Sequence, residues 1–294
     1  MARRILVTGA SGQVGWELAR TLQGMGVVYA PPRADLDLDD LVSVARVVRE
    51  FQPDLIVNPA AYTAVDRAEQ DEAAALRING EAPGVLAEEA KRLGALLVHY
   101  STDYVFDGTA QTPYREDDPV APKNAYGRTK LAGESAIVQS GARHLILRTS
   151  WVYGMRGQNF LLTVLRLARE RDELRIVADQ FGAPTWCRTI AELTAQIVAQ
   201  GLREDGLDDG FWQTNGGIYH LTSQGQTTWH GFTEAILARA QLGRRPIVHA
   251  IGTADYPLPA PRPAYSVLDG DKLARTFGLR APEWGDALDL CLAR

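Results

Sequence analysis

A chain of 294 residues that is 46% apolar and 23% charged can bury one large core, or one core with a smaller lobe packed on it, and is too apolar for disorder. Its 31 Lys+Arg against 36 Asp+Glu leave a formal charge of -5, which speaks against a nucleic-acid partner and leaves any anionic ligand to local dipoles and a few placed cations. Two cysteines, Cys187 and Cys291, stand far apart with no Cys/His cluster near them, so neither a disulfide framework nor a structural zinc is indicated, and a reducing cytoplasm fits.

Behind the basic start, the apolar run Ile5-Leu6-Val7 is cut off by Thr8-Gly9, too short for a signal-peptide core. No apolar run is long enough to span a bilayer. Residues 5–7 read as the first strand and 14–23 as the first helix. Further buried strands are predicted at 27–30, 55–58, 96–101 and 145–149, with helices near 40–51, 72–93 and 126–139 between them. This alternation predicts an α/β fold over residues 1–150: a Rossmann-like, doubly wound parallel sheet, with its ligand crevice at the carboxyl ends of the strands.

From 151 to 294 the pattern changes to isolated helices (158–171, 188–200, 229–241) and proline-rich loops. We expect a smaller C-terminal lobe that carries most of the substrate site and can interleave with the first domain. Residues 201–217, rich in Gly and Asp, read as an exposed loop. The segment Pro257 to Pro263 cannot be helix or central strand and is rigid enough to wall a site.

Gly9, Gly12 and Gly15 follow the first strand and open the first helix, as a dinucleotide site requires: the turn is tight, the backbone can approach a pyrophosphate, and the helix end offers amide donors. Where an acidic residue would select NAD, the second strand ends in Ala30-Pro31-Pro32-Arg33. Arg33 can meet a 2′-phosphate, so NADPH is the expected cofactor, while Asp35 keeps NADH open. Asp37, Leu38 and the small Ala60 and Ala61 fall at loops after strands, where the cofactor would pass.

Tyr126 and Lys130 are four apart on a predicted helix and so share one face, and Thr102 ends the strand before it. Together they fill the roles of a carbonyl reduction. Tyr126 donates a proton, Lys130 lowers the phenol's pKa and grips the nicotinamide ribose, and Thr102 hydrogen-bonds the carbonyl oxygen. Asn79 is a candidate for a water relay or, more simply, a structural hydrogen bond.

With these pieces in place the chain resembles the extended short-chain dehydrogenases/reductases, and within them the dTDP-4-dehydrorhamnose reductase family. The matching stretches include HYSTDYVFDG (99–108), NAYGRTKLAGE (124–134), RTSWVYG (148–154) and DQFGAPT (179–185). The resemblance implies reduction of the 4-keto group of a nucleotide-activated deoxysugar, dTDP-4-dehydro-L-rhamnose above others. It implies cofactor contacts from Gly12, Gln13, Val14, Asp37, Leu38, Ala61, Tyr62, Thr63, Tyr126 and Lys130, and sugar contacts from Thr102, Asp103 and Trp151. Arg262 can clamp the substrate diphosphate, although Tyr265 stands where the family pattern often has Asn.

Some relatives are described as dimers joined through magnesium held by glutamates. Glu17 matches one ligand, but Arg188 and Gly285 stand at the other two, so no metal is expected, in a monomer or a homodimer. Two other readings share the fold: a nucleotide-sugar epimerase or dehydratase, and a non-catalytic subunit like the regulatory partner of methionine adenosyltransferase.

Overall fold

In the computed structural model, which describes residues 2–204 and 206–293, the apolar runs become the strands of one parallel sheet. They are β1 (Arg4–Val7), β2 (Val27–Tyr29), β3 (Leu55–Asn58), β4 (Leu96–Thr102), β5 (His144–Thr149) and β6 (Gly217–His220), in the order β6-β5-β4-β3-β1-β2. The helices that matter below are α1 (Gln13–Thr21), α2 (Leu41–Phe51), α3 (Ala82–Leu93), α4 (Ala125–Ser140), α5 (Phe160–Glu170), α6 (Cys187–Gln200), α7 (Trp229–Arg239) and α8 (Trp284–Leu292).

Because strand side chains alternate between faces, each strand feeds two cores. Ile5, Val7, Leu55 and Val57 pack toward Leu18 of α1 and Ile190, Ile197 and Val198 of α6. Leu6, Ile56, Leu97 and Ile146 pack toward Val44 and Val48 of α2, Leu86 of α3 and Ile137 of α4. The strand order reverses between β1 and β3, which sets the ligand crevice above their carboxyl ends.

The second half of the chain interleaves with the first. α6 covers the sheet beside α1 and β6 extends it past β5, while α5, α7 and α8 surround a separate core of Tyr153, Leu161, Val164, Phe232, Ile236 and Leu288. The stretch 201–217 is not an exposed loop. Leu202–Arg203 pairs with Gly206–Leu207, and Asp209–Asn215 is helical, anchored by buried Trp212, whose Nε1 donates to the Gly201 carbonyl at 2.9 Å. Its turn-rich composition conceals one large apolar anchor.

The helix expected over 72–93 runs unbroken, but with a π-helical turn Arg77–Glu81 set between Glu72–Leu76 and α3. Such turns often mark functional places in helices. Here it brings buried Asn79 to the base of α4, where its side chain binds both the Tyr62 main chain and Thr129 Oγ1. That is the structural role, and Asn79 takes no place in the crevice lining.

Candidate active site

The crevice above β1 and β3 encloses about 550 Å3. Its floor is main chain. Gly9 adopts φ 57°, in the left-handed region, and a Cβ there would meet Ala60 Cα at 2.9 Å; a Cβ on Gly15 would collide with the Gly9 carbonyl oxygen. The first turn of α1 carries no acidic side chain, so its amide groups and positive dipole end face the crevice uncompensated. Two buried hydroxyls that line it, Ser101 Oγ and Thr149 Oγ1, have no partner within the protein. A glycine cradle under a helix end, with orphaned donors further along, fits a pyrophosphate-linked dinucleotide.

Gly9, Gly12, Gln13, Val14, Gly15, Arg33, Asp37, Leu38, Ala61, Thr63, Tyr126 and Lys130 all line this crevice. Tyr62 does not: its ring packs against Ala68, Ala75 and Ala125 beside Tyr126. Arg33, at the mouth, donates through Nε to Asp37 Oδ2 at 3.0 Å, and the Asp39 amide also donates to Asp37, which holds its carboxyl below the ordinary range despite the desolvation that opposes them. Ser101, Thr149, Gly157 and Gln158 are lining residues that the sequence reading missed. A hydroxyl at the last or next-to-last position of a central strand was the available signal.

α4 is fixed firmly. Asn124 Oδ1 accepts from the Gly127 amide at 2.8 Å and Glu69 Oε1 from the Ala125 amide at 2.6 Å, satisfying donors that a helix start leaves open. Asn124 Nδ2 also donates to the Pro261 carbonyl, tying the helix to the proline-rich segment. Further along, Glu134 receives a bidentate pair from Arg148 of β5, at 2.9 and 2.7 Å, with both side chains only 3% exposed. Removing either partner would strand a buried charge.

On this helix Tyr126 and Lys130 face the crevice together. Burial, and next the charge of Asp103, raise the Tyr126 phenol to about 12, with Thr102 hydrogen bonding in opposition. Lys130, expected to lower it, is not among the causes of this shift. Lys130 Nζ is turned inward, donating to the Tyr100 carbonyl at 2.6 Å and lying 3.0 Å from His99 Nε2. Burial brings the lysine itself down to about 8, against the nearby charge of Glu134.

The substrate candidates lie beside the crevice. Thr102 Oγ1 donates to Asp103 Oδ1 at 2.9 Å, and burial raises the Asp103 carboxyl to about 6. Trp151 follows β5 with φ 46°, a left-handed conformation unusual for tryptophan, and its indole stacks flat on Trp229 at 3.5 Å. It is neither fully buried nor free. Arg262 donates to Asp66 Oδ2 at 2.7 Å and to the Ala260 carbonyl, while the Ala260 amide donates to Asp66 Oδ1. Asp66, which the sequence reading passed over, thus holds the proline-rich segment to the short helix Val65–Ala68 beyond β3.

Arg188, which stands where relatives have a second metal-binding glutamate, pairs with Glu192 at 2.7 Å. Among the described residues no three His, Cys, Asp or Glu side chains gather as a metal site, and no helix is long and apolar enough to cross a membrane.

A parallel sheet with a glycine cradle at its switch point, Tyr126 and Lys130 lining the crevice and Thr102 beside it, has the form of an extended short-chain dehydrogenase/reductase. The chain belongs to the family described as the RmlD substrate binding domain, whose model matches residues 3–294. A dTDP-4-dehydrorhamnose reductase of Burkholderia thailandensis is 53% identical to it, over 98% of both chains. A dTDP-4-dehydrorhamnose reductase of Escherichia coli is 42% identical, covering 95% of this chain and 94% of the relative. The solved dTDP-4-dehydrorhamnose reductase of Bacillus anthracis, in complex with NADP, superposes with a TM-score of 0.89 at 33% identity, over 99% of both chains.

Proposed function

We propose that the chain reduces the 4-keto group of dTDP-4-dehydro-L-rhamnose to give dTDP-L-rhamnose, with NADPH as reductant and no metal. The observation that carries this reading is the pairing of Tyr126 and Lys130 in a crevice fitted to a dinucleotide, with Thr102 beside it, in a chain whose relatives carry that reductase name over nearly their whole length.

NADPH, when bound, supplies the hydride. The glycine cradle and the start of α1 hold its diphosphate, and Arg33 meets the 2′-phosphate. Tyr126 gives its phenolic proton to the oxygen of the former ketone. Its raised pKa keeps it protonated, as a proton donor must be at neutral pH. Lys130 offers its remaining N–H to the nicotinamide ribose. Thr102, released from Asp103, hydrogen-bonds the keto oxygen; Trp151, stacked on Trp229, offers the exposed edge of its indole to the sugar; and Arg262 exchanges Asp66 for the substrate diphosphate.

The test is NADPH oxidation followed at 340 nm (about the nicotinamide absorbance maximum) with dTDP-4-dehydro-L-rhamnose and its UDP and GDP counterparts. Turnover is expected with the dTDP compound. Absence of oxidation with all three would overturn the reading; nucleotide retained through gel filtration would then turn attention to an epimerase.

A further inference from the structure

The inward partner of Lys130 is the start of a polar chain that crosses three strands beneath the crevice. His99 of β4 has its Nε2 3.0 Å from Lys130 Nζ and its Nδ1 3.0 Å from the carboxamide nitrogen of Asn58, at the end of β3. The Asn58 carboxamide oxygen is 2.6 Å from Thr8 Oγ1, where β1 turns into the glycine loop. Thr8, Asn58, His99 and Lys130 are each 1% exposed or less. Four polar side chains are thus buried in a row between the sheet and α4. Such groups are costly unless every member is satisfied.

Donor arithmetic fixes what His99 does. An ammonium has three N–H donors and no acceptor. The Tyr100 carbonyl takes one, so if His99 Nε2 takes the second, one remains, and Lys130 lines the crevice where it would point. For Nε2 to accept, the ring must be neutral with its proton on Nδ1. Nδ1–H then needs an acceptor, which Asn58 provides once its carboxamide turns about the Cβ–Cγ bond, exchanging oxygen and nitrogen in place. The carboxamide nitrogen then donates to Thr8 Oγ1, which also accepts from the Ala60 amide at 3.3 Å, and the Thr8 hydroxyl proton turns to the crevice that Thr8 lines.

We propose that His99 is the positioning residue of the catalytic lysine: a neutral imidazole, held by Asn58, that takes one Lys130 donor and so aims the last one at the ribose and Tyr126. The proposal rests on the reading of Tyr126 and Lys130 as the catalytic pair. The groups bearing on Lys130 are His99 and the Tyr100 carbonyl from β4, and Tyr126 and Glu134 from its own helix, with Glu134 tied to Arg148 of β5. The uncharged Thr8 and Asn58 come from β1 and β3. Burial and the Lys130 charge both hold the His99 imidazole well below its ordinary range, in keeping with a neutral ring.

The test compares His99→Leu, His99→Gln and Lys130→Met in the NADPH oxidation assay, with kcat/KM measured against pH. His99→Leu deprives the ammonium of an acceptor. We expect kcat to fall about 10- to 100-fold, and the basic limb of the profile to move toward lower pH, as the charged lysine loses support. His99→Gln, which keeps an acceptor, should restore most of the rate and return the limb. A His99→Leu enzyme with wild-type kcat and an unmoved limb overturns the proposal. A Lys130→Met enzyme that keeps its activity overturns the catalytic reading instead. Should His99→Leu not fold, 15N NMR of the wild-type ring, assigned with His99→Gln, decides: a neutral Nδ1–H tautomer across pH 6–8 is expected, and an Nε2–H ring or a titration near the ordinary histidine value of about 6.5 is the contrary result.

Discussion

The cofactor wall of the crevice is main chain from one short stretch, Gly9 to Gly15, closed by side chains at strand ends. The substrate wall is assembled from side chains scattered along the sequence: Thr102 and Asp103 at the end of β4, Trp151 on Trp229 of α7, and Arg262 on Asp66, 196 positions away. On the first wall backbone geometry alone sets the shape, so the glycine spacing carries it. On the second, each group is placed by a partner that only folding supplies, and several are held in costly states: a buried carboxyl, a left-handed tryptophan, an arginine already paired.

The largest effect should come where the two walls meet. Tyr126→Phe removes the proton donor and little else, because the ring still packs edge-on against Tyr104. We expect kcat to fall by roughly 10²–10⁴-fold with cofactor affinity nearly unchanged, read by steady-state kinetics and by nucleotide titration. Retention of most activity would remove Tyr126 from the chemistry and break the division of labour between the walls.

The same contrast explains what could be read from the sequence. Five of the six sheet strands were legible as apolar runs, although β2, expected to be buried, is an edge strand with Val27 and Tyr29 exposed, and Tyr126 with Lys130 were legible by helical spacing. β6 was not, because it opens on Gly217 at φ 128° in a turn-rich stretch and is recognisable only beside β5. The glycine loop was found because it follows β1 at once, Arg33 because it stands in the loop just after β2, and Asp37 and Leu38, farther along that loop, with the help of the family resemblance. Asp66, Trp229 and the His99–Asn58–Thr8 row were not found, since nothing local distinguishes them: an Asp in a short helix or an Asn ending a strand gains its meaning from a partner dozens of positions away. The inward turn of Lys130 belongs to the same class.

A smaller effect, on stability, sharpens the claim that the substrate wall is held in costly states. Burial raises Asp103 to about 6 from an ordinary 3.8. Between these values the folded chain binds a proton that the unfolded chain has released, so stability falls as pH rises through roughly pH 4–6 and stays reduced above it. Asp103→Asn abolishes that titration while keeping an oxygen to accept from Thr102. At pH 8 the variant should be more stable, on the order of 2–3 kcal/mol, and less active. Lys130 works in another window: lowered to about 8 from 10.5, it makes stability rise with pH between those values, in the parent and the variant alike. Denaturant midpoints at pH 5 and pH 8 measure the difference; equal midpoints at pH 8 would show that Asp103 is held without cost.

The smallest effect tests whether any side chain matters on the cofactor wall beyond its backbone. Arg33 is 73% exposed on its side chain, so its ion pair with Asp37 adds little to stability. Its place at the crevice mouth still makes it the cation available to a 2′-phosphate. Arg33→Ala removes that attraction and, at the same time, uncovers the Asp37 carboxylate, which repels a phosphate but can accept a hydrogen bond from a plain ribose hydroxyl. The two consequences push the cofactors apart. NADPH should bind about tenfold more weakly while NADH is unchanged or slightly tighter. Because the site is open to solvent, raising the salt should shrink the NADPH loss. Fluorescence titration of both cofactors at two ionic strengths measures this. Equal losses for NADPH and NADH would make Arg33 a general surface charge, and the cofactor wall would then act through its main chain alone.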